Sequence, residues 1–410
     1  MDFNTRYAKL NDNQRQAVDY IHGSLLVIAG PGTGKTELLS MRTAQILRQT
    51  DTLPNSILCL TFTESGATNM RQRLRQIIGE DAYKIAIHTF HSFGTEIINQ
   101  HREYFFRGAD AQPVDELTQY QIISGILEGL DWRNPLSAKN NGEFVYIKDL
   151  IRIISEFKQS GLTPSELRAI IEDNQSTIAE IAPDIQQVFS AKISKKTIEM
   201  FAPIAEKIAN LAAKNPDKKN SKLPASITPY ANVLALSIVH ATQEAIDENS
   251  TKPLTAWKNK WCEKNANGEF VLKDFTAAEK LSAAIDVYEK YVNILSERSL
   301  FDYDDMILSV IQACESHPEL RANLQEQFQF IMVDEFQDTN LAQLRLLFNL
   351  TSENDDNPNI MAVGDDDQAI FSFQGADVGN IQRFRQHYHD PKIIVLTDNY
   401  RSAESILSSA

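Results

Sequence analysis

Residues 29–36 read Ala29-Gly30-Pro31-Gly32-Thr33-Gly34-Lys35-Thr36, three glycines spaced ahead of a lysine and a hydroxyl residue. An apolar run precedes them and a helical pattern follows from Lys35. That arrangement suits a phosphate-binding loop: without side chains in the way, several backbone N–H groups can converge on phosphate oxygens at a helix N-terminus. Lys35 can then reach the β and γ phosphates, and the Thr36 hydroxyl can ligate Mg²⁺. A second run, Val333-Asp334-Glu335-Phe336-Gln337-Asp338-Thr339-Asn340, follows the apolar residues 330–332. An acid at a strand end can complete a Mg²⁺ shell, and the next acid can orient a water for attack on the γ phosphate. Either run alone could be a glycine-rich turn or a helix cap. Together they read as two halves of a nucleoside triphosphatase site with ATP and Mg²⁺ as its cofactors.

Such a site needs a scaffold that brings strand ends together. Short apolar, β-branched runs recur at residues 25–28, 57–62, 85–89, 330–333, 360–363 and 393–396, most of them linked by helical patterns. This predicts an α/β fold with a parallel sheet covered by helices on both faces. From about residue 114 to 290 the pattern changes to long helical periods without such strands, broken by Pro/Asn/Lys-rich stretches at 214–229 and 248–253. The sequence therefore predicts a mainly helical domain inserted into a discontinuous α/β domain. The chain stops at Ala410, inside a helix it has just begun, which suggests the N-terminal part of a longer protein.

Further segments fall where strands end: LNDNQRQAV at 10–18 ahead of the loop, TFTESGATNMRQRL at 61–74, HTFHSF at 88–93, FDYDDM at 301–306, VGDDDQAIFSFQGA at 363–376 and LTDNYRS at 396–402. In open α/β sheets, ligands gather at the carboxyl ends of strands. The Gln14 amide offers both a donor and an acceptor to an adenine edge. This set resembles the UvrD/Rep/PcrA-like branch of superfamily 1 DNA helicases, over residues 8–105 and 298–402, with a weaker extension to residues 154–158 and Pro164. DEFQD with GDDDQ and NYRS is a highly specific combination.

The resemblance implies a RecA-like P-loop NTPase motor domain from residues 1–110 and 291–390, an inserted helical domain at 111–290, and the start of a second motor domain at 391–410. It implies that Gln14 contacts adenine and Tyr400 stacks on it. Lys35 and Thr36 would hold phosphate and Mg²⁺, Asp334 would bind Mg²⁺, and Glu335 would activate water. Gln368 would sense the γ phosphate and Arg401 would reach it. Thr61, Phe62, Thr89, His91, Phe371 and Phe373 match positions lining a single-stranded DNA track. Aromatics suit that role independently, because stacking grips any base. The chain departs from the family pattern in three places. Glu37 stands where many relatives carry an adenine-sandwiching Arg, for which Arg42 could substitute. Phe373-Gln374 replaces the usual Trp-Arg, and Phe371 replaces a Tyr.

The 410 residues are 42% apolar and 23% charged, an ordinary globular composition, and no apolar run approaches the ~20 residues a membrane helix needs. A net charge of −15 argues against a protein that coats nucleic acid but leaves room for a groove that binds it locally. Lysines crowd two stretches of the insert: Lys192 to Lys222, and Lys252, Lys258, Lys260, Lys264 and Lys273 with Trp257 and Trp261 between them. These are either a solvated helix face or a phosphate-tracking surface. Cys59, Cys262 and Cys314 form no C-x-x-C pair, so a reduced, cytoplasmic protein without zinc is expected. The leading expectation is an ATP-dependent translocase and helicase, 3′ to 5′ by resemblance, acting on single-stranded DNA and strand junctions in repair, replication or recombination. One alternative is the motor portion of a helicase–nuclease for double-strand-break processing. A non-catalytic ATP-binding clamp is a third, opposed by the intact Lys35, Thr36, Asp334, Glu335 and Gln368.

Overall fold

Alternation along the strands builds the centre of the molecule. In Leu25–Ala29 (β1), Leu25, Val27 and Ala29 enter one core and Leu26 the other. Ile57–Thr61 (β2) divides in the same way, with Ile57 and Cys59 on the first face and Leu58 and Leu60 on the second. Ala86–Thr89 (β3), Phe330–Val333 (β4), Ile360–Gly364 (β5) and Lys392–Leu396 (β6) complete the set. A strand apolar on both faces must be covered on both, which suits a parallel sheet flanked by helices. The computed structural model forms that sheet, with order β6-β1-β5-β4-β2-β3 and every pair parallel. It describes residues 3–400 apart from 106–110, 190–192, 195–197, 199–200, 204, 208–229, 265–267, 352–356, 366–378 and 390.

Because the strands run one way, their carboxyl ends share one edge. The helices after β2 and β3 start there on caps supplied by the sequence. Thr63 accepts from the Gly66 N–H to open Glu64–Ile78, and Thr89 forms a reciprocal capping box with Ser92 to open Phe90–Gln100. Upstream, Asn11 and Gln14 form a capping box on Asp12–Asp19 (α1). The helix after β1, Lys35–Gln49 (α2), has no such cap. Its cap is Gly34 in the left-handed region (φ 86°), with no side chain satisfying the first N–H groups.

The chain divides into two compact units. The first comprises Met1–Asp115, Ser155–Gly161 and Ser296–Ala410, and the second comprises Glu116–Ile154 and Leu162–Leu295. The first holds the whole six-stranded sheet. The resemblance implies that residues 391–396 open a second motor domain. They form instead an edge strand of this sheet, β6, in register with β1 from Leu25–Lys392 to Ala29–Leu396. The second unit is mainly helical. Ile178, Ile181, Ile185, Leu234, Ile238, Leu254, Trp257 and Leu272 belong to a core of its own. It also contains two short antiparallel hairpins that the sequence pattern does not suggest, Lys139–Asn140 with Glu143–Phe144 and Cys262–Lys264 with Phe270–Leu272. Trp257 belongs to that core at 4% exposure, its indole N–H donating to Ser237 Oγ (3.0 Å), so it is no surface stacking residue.

Within the first unit, Ser155–Gly161 is anchored by the FDYDDM segment. Ser155 Oγ donates to Asp304 Oδ2 (2.6 Å), and the buried Lys158 ammonium sits 2.5 Å from Asp302 Oδ2 and 2.7 Å from Asp305 Oδ1. Burial pushes the Lys158 pKa down, but Asp305 and Asp302 outweigh it and hold the lysine above its ordinary value, charged.

Candidate functional site

The loop between β1 and α2 takes its shape from two left-handed glycines, Gly32 (φ 75°) and Gly34 (φ 86°), a region that side-chain-bearing residues seldom adopt. The uncapped N-terminus of α2 leaves N–H groups and the positive end of the helix dipole for an anion. Thr33 is buried and closes the turn by donating its hydroxyl to Gly30 O (2.8 Å). Neighbouring segments brace the loop. Gln14 Nε2 donates to Thr33 O (3.0 Å), Asn399 Nδ2 to Pro31 O (2.7 Å), and the Tyr400 N–H to Gly32 O (2.8 Å). The Tyr400 ring is 61% exposed, with its hydroxyl 3.0 Å from Asn11 Nδ2. Gln14 is buried and its Oε1 accepts from the Asn11 N–H (3.1 Å), so both ends of its amide are engaged. The amide retains a second N–H and a second acceptor lone pair.

Opposite the loop, β4 delivers the acids. Lys35 Nζ lies 2.5 Å from Glu335 Oε2, two residues 300 positions apart in the chain. Glu335 has φ 49° and ψ 46°, a left-handed conformation unusual for a residue with a side chain, and such strain concentrates at functional sites. Asp334 is 6% exposed and accepts the Glu335 N–H on Oδ1 (3.0 Å). Burial, then the neighbouring Glu335 charge, pushes it up to about 6. Asp338 is pushed up to about 6 by the same two causes in the same order, and its buried Oδ1 has no hydrogen-bond partner. Crowded, desolvated carboxylates with an unsatisfied oxygen fit a hard divalent cation, and oxygen donors such as Asp334 and the Thr36 hydroxyl are what Mg²⁺ prefers. Gln337, also buried, donates to Glu335 Oε2 (2.9 Å) and accepts from the Asp365 N–H (3.0 Å).

The Arg42 expectation is overturned. Its side chain is 1% exposed and donates to Ala17 O (2.8 Å), Tyr20 O and Ile21 O (3.3 Å), closing the carboxyl end of α1 rather than facing a base. Glu37 is paired with Arg6 (2.8 Å) and Arg73 (3.0 Å), cations from two other helices that nothing in the sequence links to it.

On the β2 and β3 side, Thr61 and Thr89 are buried and Phe62 is half-buried. Thr89 Oγ1 lies 2.9 Å from both Glu64 Oε1 and Ser92 Oγ, which makes it part of a cap network. His91 stacks on Tyr303 with ring centroids 3.8 Å apart and planes at 21°. Tyr303 is 64% exposed, so the pair presents an aromatic face to solvent. The sequence assigns Tyr303 no role; its place between the acids of FDYDDM is the one signal it offers. Burial pushes His91 down to about 4, so the ring is neutral. Gln368, Phe371, Phe373 and Arg401 lie outside the described residues.

The model of the UvrD/REP helicase N-terminal domain matches residues 10–217 and 179–389. The ATP-dependent DNA helicase PcrA of Staphylococcus epidermidis is 28% identical over 407 residues, 99% of this chain and 40% of that protein. PcrA of Staphylococcus aureus is 27% identical over 401 residues, 98% of this chain and 39% of that protein. The chain thus spans about two-fifths of the length of these curated relatives. With the family match running over most of its length, and the loop and acids meeting as described, the chain belongs to the UvrD/REP helicase N-terminal domain family.

Proposed function

We propose that this chain is the first motor domain and inserted domain of an ATP-dependent DNA helicase, one that moves 3′ to 5′ along single-stranded DNA and acts at strand junctions in repair, replication or recombination. The observation that carries the reading is the 2.5 Å meeting of Lys35 and Glu335 beside Asp334 at the carboxyl edge of the sheet. Before nucleotide binds, Lys35 neutralises Glu335. With ATP in the loop, Lys35 turns to the phosphate oxygens and frees the carboxylate to accept a proton from the attacking water. Bound Mg²⁺, held by Thr36 and Asp334, would offset phosphate charge. Gln14 and Tyr400 are the candidates for the adenine, with Gln368 and Arg401 at the γ phosphate. Thr61, Phe62, Thr89, His91, Phe371 and Phe373 would line the strand, and the exposed face of Tyr303 adds a stacking surface to them.

A cytoplasmic setting fits three free, buried cysteines, and among the described residues no helix is long and apolar enough to cross a membrane. The test is ATP hydrolysis by the full-length protein with and without single-stranded DNA, followed by strand displacement on duplexes with 3′ or 5′ tails. Stimulation by DNA and unwinding from the 3′ tail are expected. Hydrolysis indifferent to DNA, or unwinding only from a 5′ tail, would overturn the reading.

A further inference from the structure

Gln337 lies two residues beyond Glu335, and its side chain is used at both ends. Nε2 donates to Glu335 Oε2 (2.9 Å) and to Asp338 Oδ2 (3.2 Å), while Oε1 accepts the N–H of Asp365, the residue that follows β5 (3.0 Å). At 5% exposure the amide has no water to fall back on, so each of these bonds matters. The strand end and the amide are in direct contact. A Cβ on Gly364, the last residue of β5, would fall 2.8 Å from Gln337 Oε1 and 3.1 Å from its backbone nitrogen, so only glycine leaves the amide where it is.

Two donors share Glu335 Oε2, Lys35 Nζ and Gln337 Nε2. Oε1 takes no partner among the described residues. If Lys35 moves to a phosphate, Gln337 becomes the donor that still fixes the carboxylate. We infer that Gln337 is a positioning residue for hydrolysis. It holds Glu335 by Oε2 and leaves Oε1 to accept the proton of the attacking water. As that proton moves to Glu335, the water oxygen bonds to the γ phosphorus and the bond to the departing ADP oxygen breaks. The Gln337 carbonyl is seated on the Asp365 amide, so displacement of the β5 end changes the aim of Glu335. The acid is thereby tied to the segment that begins GDDDQ. This rests on the proposed function in one respect, that Glu335 is the water-activating acid.

A double-mutant cycle in the full-length protein tests it, with single-turnover ATP hydrolysis as the readout. Gln337→Met keeps the length of the side chain and removes its donor and acceptor. It is expected to lower the hydrolysis rate about 10- to 100-fold, as loss of alignment does, with ATP affinity within about twofold of wild type. In a Glu335→Gln background the same substitution should change the residual rate by less than about twofold, because a residue acting through Glu335 has nothing left to position. A purely structural role predicts equal losses in both backgrounds, and that result overturns the inference. So does Gln337→Met turnover within about twofold of wild type, or a loss explained by weaker ATP binding. Should Gln337→Met fail to fold, Gln337→Asn is read by the same criteria, since it keeps an amide too short to span Glu335 and Asp365. Absence of hydrolysis by the wild-type protein would bring down the proposed function itself; wild-type hydrolysis with indifferent variants would bring down this inference alone.

Discussion

Lys35 and Glu335 share a hydrogen bond and would separate in the reaction, which makes their substitutions distinguishable. On the proposed function, Lys35→Ala removes a phosphate contact and should lower both nucleotide affinity and hydrolysis, the latter by at least about 10²–10³-fold. Glu335→Gln keeps the shape and should retain nucleotide affinity while lowering turnover about 10²–10⁴-fold. Binding of a fluorescent ATP analogue and ATP hydrolysis, measured on both variants, check the contrast. His91 carries a pH dependence. Burial moves it from 6.5 down to about 4, so between those values the unfolded chain takes up a proton that the folded chain refuses. The stability present above pH 6.5 is therefore lost progressively as pH falls toward 4. His91→Phe keeps a ring against Tyr303 and removes the titration, so it should flatten that part of the loss in thermal unfolding run at pH 7 and pH 5. At this scale the loop glycines and the meeting of Lys35 with Glu335 are the features that residue types and spacing in the sequence point to. The His91–Tyr303 stack is not, since it joins residues from distant parts of the chain. The burial of Arg42 also escapes the sequence, where a cation on a helix says nothing of the carbonyls it will find.

Among the elements, the strands are legible from their double-sided apolar runs. The pairing of β6 with β1 is not, because parallel neighbours are chosen by tertiary packing and not by the strand's own composition. The hairpin at Cys262–Lys264 and Phe270–Leu272 is too short for a period to declare itself. Ser155–Gly161 has only a weak family likeness, and its anchoring depends on three aspartates some 145 residues downstream. Lys158 is the element's critical point. Lys158→Ala leaves Asp302 and Asp305 buried without their cation and should cost about 3–5 kcal/mol. Adding Asp302→Asn and Asp305→Asn should restore part of that loss, because the uncompensated charges go with it. Urea unfolding midpoints of the single and triple variants check both statements.

For the molecule as a whole, a net charge of −15 makes any DNA contact by the insert a matter of local placement. Lys258 and Lys264 hold their ammonium groups 4.7 and 5.4 Å from the Phe270 ring, and Lys260 lies 5.3 Å from Trp261. If these lysines meet phosphates, Lys258→Ala, Lys260→Ala and Lys264→Ala together should weaken DNA binding equally for all sequences. The slope of log affinity against log salt should also fall by about 0.9 for each duplex phosphate that is no longer neutralised. Affinity titrations at three salt concentrations check this, and an unchanged slope returns the lysines to ordinary surface. The two-unit division is visible in outline from where strands stop and resume, whereas the separate core around Trp257 is hidden among helical periods that any packing could satisfy. The sheet itself sets a timetable for synthesis. β1 ends at Ala29, yet both of its neighbours, β5 and β6, lie beyond residue 359. At about 5–20 residues per second, its edges stay unpaired for roughly 20 to 80 seconds until the ribosome has made both neighbours. The second unit is complete by Leu295 and can fold in that interval, while the sheet of the first is still unfinished. An apolar strand left open that long is a natural substrate for chaperones, and refolding from denaturant should be slow and sensitive to protein concentration.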